Sequence, residues 1–122
     1  MPDNMVKVIL EQVLDALRKI QWRFAPLNSV DDFTETPQGM EKLDSICMLL
    51  IAIGESCKKI DRLTGGNLLA KHQEVDWKGV KGLRDIISHH YFDVDAEEIY
   101  IICSEQIPIL NETIRKMLKE LE

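Results

Sequence analysis

Apolar side chains recur at intervals of three and four residues from near the start of the chain. Val6, Ile9, Leu10, Val13, Leu17, Ile20 and Phe24 form one stripe, and Ala25-Pro26 closes it, so the spacing predicts a first amphipathic helix. A polar stretch from Asn28 to Thr36 follows. Thr36 then Pro37 reads as an N-cap ahead of a proline at the first helical position, where its missing N–H does no harm. The helix so opened runs to about Arg62, with Met40, Leu43, Ile46, Cys47, Leu50, Ile53, Cys57 and Ile60 on its apolar face. Gly54, inside that stripe, leaves room for a neighbouring helix to come close.

Thr64-Gly65-Gly66-Asn67 breaks the pattern, and Leu68 to Val75 reads as a short helical turn and loop. Asp76 is placed to cap a third helix beginning at Trp77 and carrying Val80, Leu83 and Ile87 inward; it should fray near His89 to Tyr91. Asp95-Ala96-Glu97-Glu98 is an Asp-x-x-Glu capping box that opens a last helix through Ile99, Ile102, Cys103, Ile107, Leu110, Ile114, Met117 and Leu121. Pro108 lies within it and predicts a kink. No alternation of period two competes with these assignments and no internal repeat is evident. The expectation is an all-α bundle of four medium or long helices and a short one, forming a single domain over residues 1–122.

Composition narrows the class. No apolar run approaches the roughly 20 residues a membrane-spanning helix needs, and no basic segment leads into an apolar one at the start, so the expectation is a soluble cytoplasmic protein without membrane partners. Cys47, Cys57 and Cys103 are odd in number and lack Cys-x-x-Cys spacing, which argues against a disulfide framework and a thiolate zinc site; each falls on an apolar stripe as a reduced, buried thiol. The formal charge of −6 argues at first against a polyanionic partner. Its distribution changes that picture. From Lys58 to Arg84 seven basic residues stand against three acidic ones, a local +4 that leaves −10 on the rest. Such a patch suits a short piece of nucleic acid, and equally a solvated charged face with no partner.

Reactive side chains crowd into Arg84-Asp85-Ile86-Ile87-Ser88-His89-His90-Tyr91. On a regular helix Asp85 and His89 are i and i+4, close enough for the carboxylate to orient the imidazole. The carbonyl end of the helix favours a cationic histidine there as well. Arg84 and His89 lie about 140° apart around an ideal helix, so they converge only if the last turn loosens or a second copy of the site faces the first. Taken singly, Arg84 suits a surface ion pair, His89 a helix cap and Tyr91 a loop anchor; the joint spacing is what points to chemistry. Adjacent His89 and His90 point about 100° apart and lack further ligands, so no metal site and no cofactor are expected.

The pattern Arg-x4-His-x-Tyr, here Arg84, His89 and Tyr91, resembles the signature of the HEPN superfamily, specifically its HepT-like branch. Ala52-Ile53-Gly54-Glu55, Val75-Asp76-Trp77, Gly82-Leu83-Arg84-Asp85 and Tyr91-Phe92-Asp93-Val94-Asp95 are similar to that branch too, so the likeness covers most of the chain from about Leu43 onward. It implies a four- to five-helix HEPN-type bundle that homodimerises around one cleft, and a metal-independent endoribonuclease toxin of a type VII-like toxin–antitoxin pair. Its substrate would be RNA, tRNA among the candidates, and not DNA. By the same resemblance Arg84 holds the scissile phosphate, His89 is the general acid or base, Asp85 orients one of them and Glu55 supports the cleft. The implied partner is a small nucleotidyltransferase antitoxin that adds AMP to Tyr91. His90 departs from the family pattern, where a small residue such as glycine is common. Two other readings stand beside this one: a non-catalytic HEPN subunit that binds a nucleotide or partners a nucleotidyltransferase, and a purely structural dimerisation bundle.

Overall fold

The computed structural model describes residues 2–89 and 92–121, the side chains of residues 2 and 3 excepted. Helix α1 spans Pro2–Phe24, α2 Asp31–Thr34, α3 Pro37–Thr64, α4 Asn67–Ala70, α5 Trp77–Lys81, α6 Leu83–His89, α7 Ala96–Ile101 and α8 Ile107–Glu120, with a π-helical turn at Ile102–Gln106 joining the last two. No strand occurs among the described residues.

The start signals act through the atoms that their residue types supply. Thr36 Oγ1 accepts from the Gly39 amide at 2.9 Å, Asp76 Oδ1 from the Gly79 amide at 3.1 Å, and Asp95 Oδ1 from the Glu98 amide at 3.2 Å. Each satisfies an orphan donor of a first helical turn. Helix α3 stops where Gly65 takes φ 62°, a left-handed conformation that only glycine adopts without strain, and the Gly66 amide returns to the Asp61 carbonyl at 2.9 Å.

Helix α3 is the spine: α1, α2, α4, α5, α6 and α7 all pack on it, and α8 packs on α1. Their buried stripes meet in one core that includes Leu10, Leu17, Ile46, Leu50, Ile53, Ile107, Ile114 and Met117. Each such side chain contributes about 1.5–3 kcal/mol on leaving water. Phe24, Phe33 and Tyr100 close one end, with Tyr100 edge-on to Phe24 at a centroid separation of 4.9 Å. Gly54 lets α5 come against α3: a Cβ there would stand 2.6 Å from the Val80 carbonyl oxygen. The three cysteines are free and buried, and burial is the largest influence raising their thiols, to about 11 for Cys47 and about 12 for Cys57 and Cys103.

Three features differ from what spacing alone predicts. The polar stretch Asn28 to Thr36 contains α2, a single turn whose Phe33 is wholly buried. The third helix is divided at Gly82, whose amide is shared between the Lys78 and Gly79 carbonyls at 3.1 and 3.2 Å. With glycines at 79 and 82 the chain has little intrinsic drive to continue one straight helix through this segment. At Pro108 the helix carries the π turn rather than a simple kink, with the Ile107 amide reaching back to Ile102. Proline offers no N–H and its ring presses on the carbonyl four residues earlier; the wider turn gives that carbonyl space. His90 and Tyr91, where fraying was expected, lie outside the described residues.

Candidate active site

Helix α6 turns Leu83 and Ile87 into the core and leaves Arg84, Asp85, Ser88 and His89 exposed. This follows from helical geometry: the two core residues lie about 40° apart, and the four polar ones fill an arc on the opposite side. Because α6 packs against α3, Arg84 meets Glu55, with Nη1 3.2 Å from Oε1. The other Glu55 oxygen pairs with Lys58 Nζ at 2.9 Å. Lys58 exerts the largest influence and Arg84 a lesser one; together they hold the Glu55 carboxyl below the usual carboxylate range against partial desolvation. Lys81 pairs with Asp61 at 2.6 Å on the same side.

His89 is fixed differently. Its Nδ1 lies 2.7 Å from the backbone carbonyl oxygen of Asp85, not from the Asp85 carboxylate. A carbonyl only accepts, so Nδ1 carries the proton in this contact and Nε2 is the nitrogen able to take up or release one. Asp85 thus contacts the imidazole through its main chain. On the Glu55 side of α6 the guanidinium and the Lys58 ammonium are gathered. On the other side Ile86 borders a groove lined by Asp95, Glu97 and Glu98. The two flanks of α6 therefore carry opposite charge.

Arg84, Asp85, His89 and Glu55 are all near the solvent edge of one helix pair, and Arg84 with Glu55 is brought into direct contact. The structure does not bring Arg84 to His89 within the chain; no contact joins them among the described residues. Tyr91 lies outside those residues, as does His90. Lys58 was not among the expected site residues, although its i, i+3 spacing from Glu55 on a long helix was the available signal. Another unexpected element is His72, buried between α4 and α8, with Nε2 3.5 Å from Glu120 and its backbone carbonyl accepting from Trp77 Nε1 at 2.8 Å. It ties the start of α5 to α8. No group of three or more His, Cys, Asp or Glu side chains is arranged to hold a metal ion among the described residues. Nor is any described helix long and apolar enough to cross a membrane.

The all-α bundle, with Arg84 and His89 exposed on one short helix, is consistent with a HEPN-type helical fold. Residues 13–117 match the family described as "Ribonuclease HepT-like". The chain belongs to the HepT-like ribonuclease family. It is 27% identical over 122 residues to "Putative RNase MJ0127" of Methanocaldococcus jannaschii, covering 100% of this chain and 94% of that one. To "Putative RNase MJ1216" of the same organism it is 23% identical over 128 aligned positions, again 100% and 94% of the two chains. To "Putative RNase TTE0752" of Caldanaerobacter subterraneus it is 31% identical over 68 residues, 56% and 57% of the two. No solved structure gives a significant match.

Proposed function

We propose that the protein is a metal-independent endoribonuclease that works as a homodimer, with two copies of α6 facing one cleft. The observation that carries this reading is the exposed pair on α6: a guanidinium beside a basic flank, and an imidazole whose Nδ1 is held so that Nε2 is open to solvent. Arg84 binds the scissile phosphate and stabilises the charge that grows on it. The substrate 2′-hydroxyl loses its proton and attacks the adjacent phosphorus; the bond to the 5′-oxygen breaks and that oxygen takes up a proton. The products are a 2′,3′-cyclic phosphate and a 5′-hydroxyl. His89 performs one of the two proton transfers through Nε2. Asp85 positions the ring through its carbonyl, and Glu55 holds Arg84 in place. Because Arg84 and His89 diverge on one helix, the Arg84 of one copy works with the His89 of its partner. A nucleotidyltransferase antitoxin silences the enzyme: the Tyr91 hydroxyl attacks the α-phosphate of ATP, pyrophosphate leaves, and the added AMP puts charge and bulk beside the cleft.

The test is cleavage of purified tRNA and unstructured RNA in the presence of a chelator. Wild-type protein yields fragments with cyclic-phosphate ends. Arg84→Ala and His89→Ala each yield none while keeping the native helical signal. Mixing those two inactive proteins under conditions of subunit exchange restores about a quarter of the activity, since half the dimers are mixed and each has one intact site of two. Absence of cleavage by wild-type protein with unmodified Tyr91 refutes the ribonuclease reading. Activity that never returns on mixing refutes the shared cleft.

A further inference from the structure

One face of this acidic chain is basic, and it begins at Arg84. On α3 Lys58, Lys59 and Arg62 follow Glu55 at spacings that place the four side chains within an arc of about 100°, on the side away from the buried Ile53, Cys57 and Ile60. Helices α5 and α6 run antiparallel beside that arc: Arg84 meets Glu55, and Lys81, three residues earlier, meets Asp61 at 2.6 Å. Lys78 stands a further turn back on α5. Six cations are thus gathered around two carboxylates, Glu55 and Asp61. Lys58 and Arg84 pair with Glu55, and Lys81 with Asp61. Lys59, Arg62 and Lys78 are exposed and have no carboxylate within ion-pair distance among the described residues.

Unpaired cations side by side repel one another, and a chain of net charge −6 has carboxylates to spare for them. Their grouping favours a ligand with regularly spaced negative charges. From Glu55 to Arg62 the α3 axis advances about 10 Å, at about 1.5 Å per residue. A stacked nucleic-acid strand carries one phosphate about every 3.4 Å, so about three phosphates fit along that length. Charge also fixes the direction. Followed the other way from Glu55, the same face of α3 reaches Asp44, and the far flank of α6 is rimmed by Asp95, Glu97 and Glu98. We propose that Lys59, Arg62 and Lys78 form a phosphate track that holds the RNA strand on one side of the cut, leading from Arg84 toward the C-terminal end of α3. The inference rests on the ribonuclease reading for its ligand. It adds a grip on several phosphates beyond the scissile one, which positions the strand without reading its bases.

The test uses the full chain carrying His89→Ala, so that the probe stays intact, titrated with a fluorescein-labelled single-stranded RNA between about 50 and 200 mM salt. Lys59→Gln, Arg62→Gln and Lys78→Gln together should flatten the slope of log affinity against log salt by about 2, at about 0.7 per phosphate contact. Over that fourfold range of salt the parent then loses about 20-fold more affinity than the variant. A control that removes three exposed cations elsewhere, through Lys7→Gln, Arg18→Gln and Arg115→Gln, keeps the parent's slope. With His89 restored, the track variant raises KM for RNA cleavage and leaves kcat unchanged. Equal slopes for variant and parent overturn the proposal and leave a solvated charged face. An equal change in the control overturns it too, since net charge alone would then be responsible. So does a track variant that loses affinity for poly-glutamate but keeps it for RNA, which would assign the face to an acidic polypeptide. The two readings fail separately: cleavage by the track variant with the parent's KM and salt slope removes only the track. The expected change of slope in a protein whose wild-type form never cleaves RNA removes only the ribonuclease.

Discussion

Gly54→Ala isolates the contact that seats α5, and through it α6, against α3. In the middle of α3 the substitution should help the helix itself, since glycine is about 0.5–1 kcal/mol worse than alanine there. Against this, the new Cβ would stand 2.6 Å from the Val80 carbonyl oxygen. That atom is backbone, so no side-chain rotation relieves the clash and α5 itself must move away from α3. Overpacking of this kind costs about 1–3 kcal/mol. At about 2 kcal/mol, the middle of that range, the clash outweighs the propensity gain and leaves a net loss of about 1–1.5 kcal/mol, which in a chain of this size lowers Tm by about 4–6 °C. Because α6 follows α5 after Gly82, the displacement also carries Arg84 away from Glu55, so RNA cleavage should fall at temperatures well below the melt.

The assay is urea denaturation followed by circular dichroism, with Ala52→Gly as the control. Ala52 is exposed on the same helix, so its replacement reports the propensity term alone, a loss of about 1 kcal/mol. If Gly54→Ala instead raises stability by the mirror of that amount, the close approach of α5 does not constrain the helix pair and the packing argument is refuted.

The Glu55 carboxyl, followed by carbon NMR, should titrate below an ordinary glutamate; Lys58→Met should return it toward normal more than Arg84→Met does, in the order of their influence. Its depressed pKa means that its contribution to stability is present above the unfolded value of about 4.3 and is lost as pH falls through the folded one. The cysteines have the opposite sign: their raised pKa values stabilise the fold fully below about pH 8.5, and the urea midpoint should decline as pH rises from there toward 11 and 12. A midpoint constant from pH 8 to 10.5 would contradict the burial of those thiols. Asp76→Ala removes the acceptor for the Gly79 amide and should cost about 1 kcal/mol in the same denaturation assay.

What the sequence made legible was local. Thr36, Asp76 and Asp95 cap their helices because the acceptor and the amide it meets are three residues apart, a distance readable from residue types alone. Apolar stripes on α1, α3 and α8 were equally plain because the core selects the helical period. Phe33 was hidden because its burial depends on α2 folding against α3, and nothing within the polar stretch around it has a period. The division at Gly82 was hidden for a related reason. Two glycines weaken a helix without saying whether it bends or stops, and the neighbour that decides is Gly54, 28 positions earlier in the chain.

The candidate site divides along the same line. Arg84 and His89 were visible as a spacing, but the atoms that orient them were not. Arg84 is held by Glu55, 29 positions away, and His89 by a main-chain oxygen that carries no sequence signature. The geometry then sharpens the electrostatic argument. With cations on the Glu55 flank of α6 and carboxylates on the Ile86 flank, an anionic ligand approaching the chain is drawn toward Arg84 and away from the acidic side. A two-fold axis running parallel to α6 over its exposed arc would set the basic flank of each copy opposite the acidic flank of the other, whereas an axis perpendicular to the helix would set like flanks together. In that arrangement charge attraction between subunits and the meeting of Arg84 with the partner's His89 have one cause, the uneven charging of a single seven-residue helix.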